Sequence, residues 1–188
     1  MRPQHILTRK MKVISPWFTL VEKMIYPEDG KAAEAFHSIQ QPDYISIIAR
    51  TPSGKFPLIK QFRHSIETFT WEFPAGLLDP SESPSACAKR ELFEEAGVTA
   101  HKLIHLGTGF ADSGRLGNQV HMYYADCSEA AEGFMPEPDT SVAYFDLNTI
   151  KKMIINGKMN HQPHIGVLYM AMLKGFINAS ADCGSHDD

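Results

Sequence analysis

The chain has 188 residues, 43% of them hydrophobic and 21% charged, and a formal net charge of −4 at pH 7. This length suits one core of ordinary size, and the negative charge argues against long nucleic acid as a partner, because such binding depends on clustered Lys and Arg. No apolar run approaches the roughly 18 residues of a membrane span, so we expect no membrane partner. The three cysteines form no CxxC pair, which favours a reduced, cytoplasmic setting over a zinc site or a disulfide framework.

The beginning of the chain, residues 1–15, is basic and has no apolar signal-peptide core, and we interpret it as a mobile N-terminal arm. Residues 16–177 are the expected single domain, and the polar residues 178–188 the expected disordered tail. Strand-forming residues bounded by turn signals predict the following strands: Trp17–Tyr26, Ala35–Ile39, Tyr44–Arg50, Phe56–Phe62, Thr70–Phe73, Lys102–Thr108, Gln119–Asp126 and Ser141–Phe145. The turn sequence TPSGK predicts that the third and fourth of these form a hairpin.

Helix signals are clearest over residues 84–96. Ser83 is suited to the N-cap, Pro84 to the first helical position, and Gly97 to the position just after the end. Two further helices are predicted at Leu147–Ile155 and His164–Phe176. Because strands and helices are mixed and Ile45–Ala49 is apolar except for Ser46, we expect a sheet covered on both faces by helices.

Three glutamates of the first helix lie at i, i+3 and i+4. Glu91, Glu94 and Glu95 therefore share one face, where like charges repel one another. One interpretation is a solvated acidic face. The other is a site for Mg²⁺ or Mn²⁺, since these hard cations prefer carboxylate and carbonyl oxygens.

The sequence around this helix resembles the Nudix box: Gly76, five residues, Glu82, seven residues, then Arg90-Glu91-Leu92-x-Glu94-Glu95-x-Gly97-Val98. The resemblance implies a Nudix-type α/β/α sandwich with a mixed β-sheet and an N-terminal β-rich extension, residues 16–40, at a dimer interface. It also implies hydrolysis of a nucleoside diphosphate linked to another moiety, with Mg²⁺ as cofactor and Mn²⁺ as a possible substitute.

The resemblance assigns roles within the box. Glu91 and Glu95 are implied metal ligands, Glu94 completes the cluster, and the backbone carbonyl of Ala75 is a further oxygen ligand. Glu94 and Glu95 are thereby catalytic candidates. Arg90 is expected to hold a carboxylate by a bidentate pair, and Glu82 to orient the loop; Gly76 and Gly97 are structural positions of the box.

Substrate contacts are expected outside the box. Gln61-Phe62-Arg63 and Trp71-Glu72-Phe73-Pro74-Ala75-Gly76 resemble segments of the ADP-ribose and nucleotide-sugar pyrophosphatase branch. Arg63 is a candidate for the diphosphate and Glu72 for a hydroxyl or base edge; the alternatives are a surface arginine and a salt-bridged strand carboxylate. Trp17 is a candidate for stacking on the base, or else packs in the core or the dimer.

Two later segments add candidates. ADP-ribose pyrophosphatases commonly have a proline where this chain has Gly114, so other nucleotide sugars stay open as substrates. Arg115 is either a phosphate or sugar contact or a solvated turn residue. A late catalytic carboxylate is expected from Glu137 or Asp139. A metal role for His161 and His164 is conceivable, but capping or packing is the preferred interpretation.

These features together predict a homodimeric, Mg²⁺-dependent pyrophosphatase that converts ADP-ribose or a nucleoside diphosphate sugar to a nucleoside monophosphate and a sugar phosphate. One alternative is a Nudix enzyme for another nucleotide, such as a dinucleoside polyphosphate, an oxidised nucleotide or a capped RNA end. The other is a sensor that binds a nucleotide sugar without cleaving it.

Overall fold

The structure is a computed structural model and describes residues 5–26 and 31–178. Residues 1–4 of the predicted arm and the predicted disordered tail, apart from Asn178, lie outside these residues. The strands are β1 His5–Ser15, β2 Phe18–Tyr26, β3 Glu34–Gln40, β4 Tyr44–Arg50, β5 Phe56–Arg63, β6 Thr68–Glu72, β7 Ala75–Leu77, β8 Ala100–Gly109, β9 Val120–Cys127 and β10 Thr140–Phe145. The helices are α1 Pro84–Ala96, α2 Leu147–Ile155 and α3 Gln162–Leu173.

The contacts divide the chain into two compact units rather than the single domain expected over 16–177. The first, the N-terminal unit, comprises Met1–Asp43 and Phe110–Gln119; the second, the larger unit, comprises Tyr44–Gly109 and Val120–Asp188. Residues 110–119 belong to the N-terminal unit because the backbone N–H of Ile39 donates to the carbonyl of Arg115 and that of Gly117 to the carbonyl of Ile39.

The N-terminal unit is a three-stranded antiparallel sheet in the order β1-β2-β3. Strand β1 corrects the interpretation of residues 1–15 as a mobile arm: its backbone pairs with β2 from His5 opposite Tyr26 to Ser15 opposite Phe18. The sequence did not indicate this strand, because the segment is basic and almost all its side chains are exposed rather than packed in a core.

The larger unit has two sheets, ordered β7-β4-β9-β8 and β10-β5-β6. The first is mixed, since β4 runs parallel to β9 and antiparallel to β7. The predicted hairpin of β4 and β5 is therefore wrong. A turn does join them, with the N–H of Thr51 bonded to the carbonyl of Lys55. Strand β4 nevertheless pairs with β9 and, over Tyr44–Ser46, with β7, while β5 pairs with β6 and β10 in the other sheet.

Helices cover both faces of β4, as the predicted sandwich requires. Ile45 and Ile47 pack in one apolar cluster with Leu92 of α1. Ile48 packs in a second cluster with Ile150 of α2 and with residues of α3 that include Leu168. Because successive strand residues point to opposite faces, α1 lies on one side of the sheet and the other two helices on the opposite side. No helix among the described residues is long and apolar enough to cross a membrane.

Candidate active site

Helix α1 has the predicted bounds and caps. The hydroxyl of Ser83 accepts a hydrogen bond from the N–H of Ala86 (3.2 Å), and Pro84 occupies the first turn. Gly97 ends the helix in the left-handed conformation (φ 63°), where its N–H bonds the carbonyl of Phe93 (2.9 Å). A side chain at Gly97 would also collide with the ring of Phe134, 2.3 Å from an added Cβ. The end of α1 is thus determined by local residues.

Strand β7 approaches the glutamates of α1 very closely. A Cβ added at Gly76 would lie 1.9 Å from Oε1 of Glu91, so this position has room only for glycine unless Glu91 moves. One residue earlier, the N–H of Ala75 donates to Oε2 of Glu95 (2.9 Å). Two of the predicted metal ligands, Glu91 and Glu95, therefore lie against residues 75–76 of β7. The metal role of the Ala75 carbonyl stays a prediction.

Arg90 forms the bidentate carboxylate pair expected of it. Its Nε and Nη2 donate to the two carboxylate oxygens of Glu82 (3.2 and 3.0 Å). Its Nη1 donates to Glu91 and to Glu94 (2.9 Å each). The hydrogen bond from Arg90 lowers the pKa of Glu82. Arg90 therefore fixes the loop before α1 and reduces repulsion among the glutamates, and Glu94 remains half-exposed.

Burial shifts the acidity of the other two glutamates. It raises the pKa of Glu91 to about 7, despite the opposing charge of Arg90, and that of Glu95 to about 8, despite the hydrogen bond from Ala75. A buried carboxylate with a raised pKa is one that lacks enough positive charge nearby. Carboxylate oxygens on one helix face, facing a strand with backbone carbonyls, fit a hard divalent cation such as Mg²⁺.

These shifts predict how stability depends on pH in the presence of a chelator. Glu91 and Glu95 bind more protons folded than unfolded between about pH 4.5 and 8, so their contribution to the free energy of unfolding is lost as the pH rises. His164 acts oppositely, because burial lowers its pKa to about 3 from 6.5. Its contribution to the free energy of unfolding therefore rises with pH up to about 6.5 and changes little above that. Urea unfolding should show a fall of about 1 to 2 kcal/mol from pH 6.5 to 8. An equal fall in the Glu91→Gln/Glu95→Gln variant would contradict this assignment.

Arg63 and Glu72 form an ion pair across β5 and β6. The Nε and Nη2 atoms of Arg63 donate to the two oxygens of Glu72 (2.8 and 2.5 Å), and Thr70 donates to the same carboxylate (2.5 Å). Although burial alone would raise the pKa of Glu72, the bonds from Arg63 and Thr70 lower it to about 2. The Glu72 side chain is fully buried and that of Arg63 37% exposed. Glu72 therefore orients Arg63, whose guanidinium still reaches solvent.

His161 and His164 lie beside this pair. Among the described residues, Glu72, His161 and His164 form a group of three potential metal ligands whose ligating atoms all lie within 4.8 Å of one another. The three glutamates of α1 do not form such a group. Both ring nitrogens of His164 are hydrogen-bonded, Nδ1 to the N–H of Phe73 and Nε2 to the hydroxyl of Tyr44 (3.0 Å each). Both oxygens of Glu72 are also bonded, so Glu72 and His164 belong to a hydrogen-bond network. The buried Nδ1 of His161 has no hydrogen-bond partner among the described residues.

The late acidic loop, residues 128–139 between β9 and β10, is attached to the rest of the larger unit. Glu129 accepts hydrogen bonds from the backbone and side chain of Ser53 (2.7 and 3.2 Å). Asp139 adopts a positive φ of 66°, which is unusual for a residue other than glycine. The next residue, Thr140, pairs with Gln61 of β5, two residues before Arg63. The strand register therefore directs the Glu137–Asp139 segment toward the end of β5 that bears Arg63.

Trp17 and Arg115 belong to the N-terminal unit. Trp17 is 65% exposed in the turn between β1 and β2. Arg115 donates to the carbonyl of His37 (3.3 Å), and its guanidinium lies 5.0 Å from the ring centre of Phe36. Arg115 borders a groove of about 420 Å³ whose other lining residues are Leu20, Ala35, Phe36, His37, Ser38 and Ile39. It is an exposed turn residue, as one of the two interpretations expects, and it is held by its contacts with His37 and Phe36. Its contact with a substrate stays a prediction.

Several residues of these sites were not anticipated from the sequence. Tyr44, Thr70 and Phe36 sit in strands and resemble ordinary strand residues. The partners of Tyr44 and Phe36 are distant in sequence, as with Tyr44 and His164, whereas Thr70 bonds Glu72 two residues away. Tyr44 is the first residue of the predicted strand, and its position gives no local signal of such a partner.

The comparison with known families agrees with this geometry. A NUDIX domain model matches residues 40–165, so the chain belongs to the Nudix family. A solved structure described as "Crystal structure of ADP compounds hydrolase" superposes with a TM-score of 0.77 at 21% sequence identity, covering 94% of this chain and 98% of the other, which confirms the fold.

Two relatives are named ADP-ribose pyrophosphatase. The one from Bacillus subtilis is 36% identical over 107 residues, 54% of this chain and 57% of the relative. The one from Mycobacterium tuberculosis is 32% identical over 143 residues, 70% of this chain and 67% of the relative. The match with the first thus spans little more than half of that protein.

Proposed function

We propose that this protein hydrolyses the pyrophosphate bond of ADP-ribose or of a nucleoside diphosphate sugar, giving a nucleoside monophosphate and a sugar phosphate. The observation that supports this most is the approach of β7 to Glu91 and Glu95, two carboxylates with raised pKa values. Such an arrangement serves cation binding better than it serves stability, because buried like charges oppose folding.

Mg²⁺ is the proposed cofactor, with Mn²⁺ able to substitute. Glu91, Glu94, Glu95 and the Ala75 carbonyl would hold it, and Arg90 keeps the first two carboxylates in place. When bound, the cation supplies charge stabilisation at phosphoryl oxygens and lowers the pKa of water. The protein's own contribution is to fix the carboxylates on α1 and the strand opposite them.

The remaining catalytic groups come from β5 and the late loop. We assign Arg63 to the diphosphate, since its guanidinium is oriented by Glu72 and remains partly exposed. Glu72 itself is occupied by Arg63 and Thr70, so it acts on the substrate through Arg63. Either Glu137 or Asp139 would accept the proton of the attacking water, because the register of β10 directs their segment toward Arg63.

Two features of the N-terminal unit are proposed as contacts for a base or a sugar. The groove at Arg115 offers the ring of Phe36, and Trp17 offers an exposed indole, both of which suit a flat base or a sugar. The names of the two relatives favour ADP-ribose, while Gly114, at the position of the usual proline, keeps nucleotide sugars in the proposal.

A homodimer is proposed from the exposed apolar surface of the N-terminal sheet. Met11 is 58% exposed and Val13 74%, and both lie on the same face of β1, beside Val21 and Thr19 of β2, of which Val21 is buried. Covering such a patch on a second copy would remove it from water. We place the protein in the cytoplasm, since its described cysteines, Cys87 and Cys127, are free thiols.

The variant Met11→Glu/Val13→Glu is expected to convert the dimer to a monomer, because two carboxylates would have to be buried. Light scattering coupled to gel filtration measures this. Lys12→Glu is the matched control, since it changes the charge by the same two units on the opposite face of the strand. A dimer that persists in the double variant, or a monomer in the control, would contradict this interface.

A panel of substrates tests the activity. ADP-ribose, ADP-glucose, GDP-mannose, UDP-glucose and diadenosine polyphosphates are incubated with the protein and alkaline phosphatase, which releases phosphate from the monoester products alone. Turnover of ADP-ribose or of one nucleotide sugar, abolished by chelator, is expected. Saturable binding of one compound without turnover of any would replace the proposal by the sensor function.

A further inference from the structure

His164 is the buried polar residue of α3, and its two ring nitrogens have different roles. The N–H of Phe73 donates to Nδ1 at 3.0 Å, so Nδ1 has no proton. The ring proton of the neutral imidazole is therefore on Nε2, which donates to the hydroxyl of Tyr44 at 3.0 Å. Burial keeps the ring neutral by lowering its pKa to about 3. His164 is thus a fixed acceptor for the backbone of Phe73.

The backbone that follows Phe73 is held at three successive residues by three different elements. His164 of α3 accepts from Phe73. The carbonyl of Pro74 accepts from the N–H of Ile47 on β4 (2.9 Å). Ala75 donates to Glu95 of α1 (2.9 Å). Helices on opposite faces of the sheet therefore hold the same short stretch, and α3 is connected to the carboxylate of α1 through two peptide units.

The structure assigns His164 the role of a positioning residue: by accepting from Phe73 it fixes the stretch whose Ala75 N–H orients the Glu95 carboxylate. This role rests on the proposed function only in so far as Glu95 serves a cation there. Without an acceptor, the Phe73 N–H would be buried and unpaired, which costs enough free energy to displace the backbone. The displacement would reach Ala75, two residues on, and weaken the orientation of Glu95.

The chain offers variants that separate this role from packing. In His164→Asn the amide oxygen can replace Nδ1 as the acceptor. In His164→Leu the volume is similar but no acceptor remains. In His164→Gln the amide reaches toward the Nε2 position and leaves Phe73 without its partner. Tyr44→Phe is the matched control, because it removes the contact at Nε2 and preserves the one at Nδ1.

The readout is the affinity of the full-length protein for Mn²⁺ alone, measured from the electron paramagnetic resonance signal of free Mn²⁺. We expect His164→Leu and His164→Gln to bind Mn²⁺ about tenfold more weakly, as loss of an outer partner of a metal ligand does, and His164→Asn and Tyr44→Phe to bind like the unaltered protein. If His164→Leu does not fold, the comparison of His164→Asn with His164→Gln decides alone.

Equal affinity in the Asn and Gln variants, or a loss in Tyr44→Phe as large as in His164→Gln, would overturn the role of His164. If the unaltered protein binds Mn²⁺ but hydrolyses no substrate, the proposed activity is refuted. The Mn²⁺ affinities of the variants would still test the role of His164. Failure of the unaltered protein to bind Mn²⁺ would overturn both, because Glu95 would then serve no cation.

Discussion

Replacing Glu95 by glutamine is expected to reduce metal-dependent hydrolysis by at least about a hundredfold. Loss of a residue that only hydrogen-bonds to a metal ligand already reduces metal affinity or activity by up to about that factor. The amide keeps an oxygen that can accept from Ala75 N–H, so the backbone contact survives. It has no negative charge, however, and is a poor ligand for Mg²⁺. Initial rates on the substrate found in the panel, over a range of Mg²⁺ concentrations, measure the effect.

The same variant is expected to lose activity without losing stability. Because the pKa of Glu95 is raised to about 8 by burial, its ionised form opposes folding at alkaline pH. Glu95→Gln should therefore unfold at the same or a higher temperature than the unaltered protein at pH 8 in chelator. Glu34→Gln, the same charge change at an exposed strand end, is the control for both measurements. An active Glu95→Gln variant would remove Glu95 from the metal site.

Replacing Arg63 by methionine is expected to destabilise the protein by about 3 kcal/mol, the usual result of breaking one side of a buried ion pair. Glu72 is fully buried, and Arg63 donates to both of its oxygens. Without Arg63, the carboxylate keeps only the hydroxyl of Thr70 among these partners. Urea unfolding near neutral pH measures the change.

A second variant separates the lost charge pair from the lost packing. In Arg63→Met/Glu72→Gln, the glutamine is neutral and still provides an oxygen for Thr70, so much of the lost stability should return. Both variants should bind substrate weakly, because the proposed diphosphate contact is absent from each. A double variant as unstable as Arg63→Met alone would show that packing of the Arg63 side chain, and not the uncompensated charge of Glu72, determines the stability.

Features determined by neighbouring residues could be predicted from the sequence. Helix α1 begins after Ser83 and ends at Gly97 as predicted, because a side-chain cap and a left-handed glycine act within one helical turn. The bounds of β4 and α2 were also predicted correctly. The Nudix box positions depend on the same local spacing, which is why Arg90 could be expected to form a bidentate pair.

Features determined by distant pairing could not be predicted. The turn between β4 and β5 has the composition of a hairpin turn, yet β9 and β7 occupy both edges of β4. Strand β1 pairs with β2 through backbone groups that composition does not report. The contact of His164 with Phe73 spans 91 residues, and no local pattern in either segment indicates it.

The phosphorus NMR spectrum of ADP-ribose incubated with the protein reports directly on the bond that is proposed to break. With Mg²⁺ present, we expect the two coupled diphosphate signals to be replaced by two phosphomonoester signals, those of AMP and ribose 5-phosphate, and we expect chelator to prevent this change. If the folded protein with Mg²⁺ leaves the diphosphate signals of ADP-ribose and of each nucleotide sugar of the panel unchanged, the proposed hydrolysis is wrong.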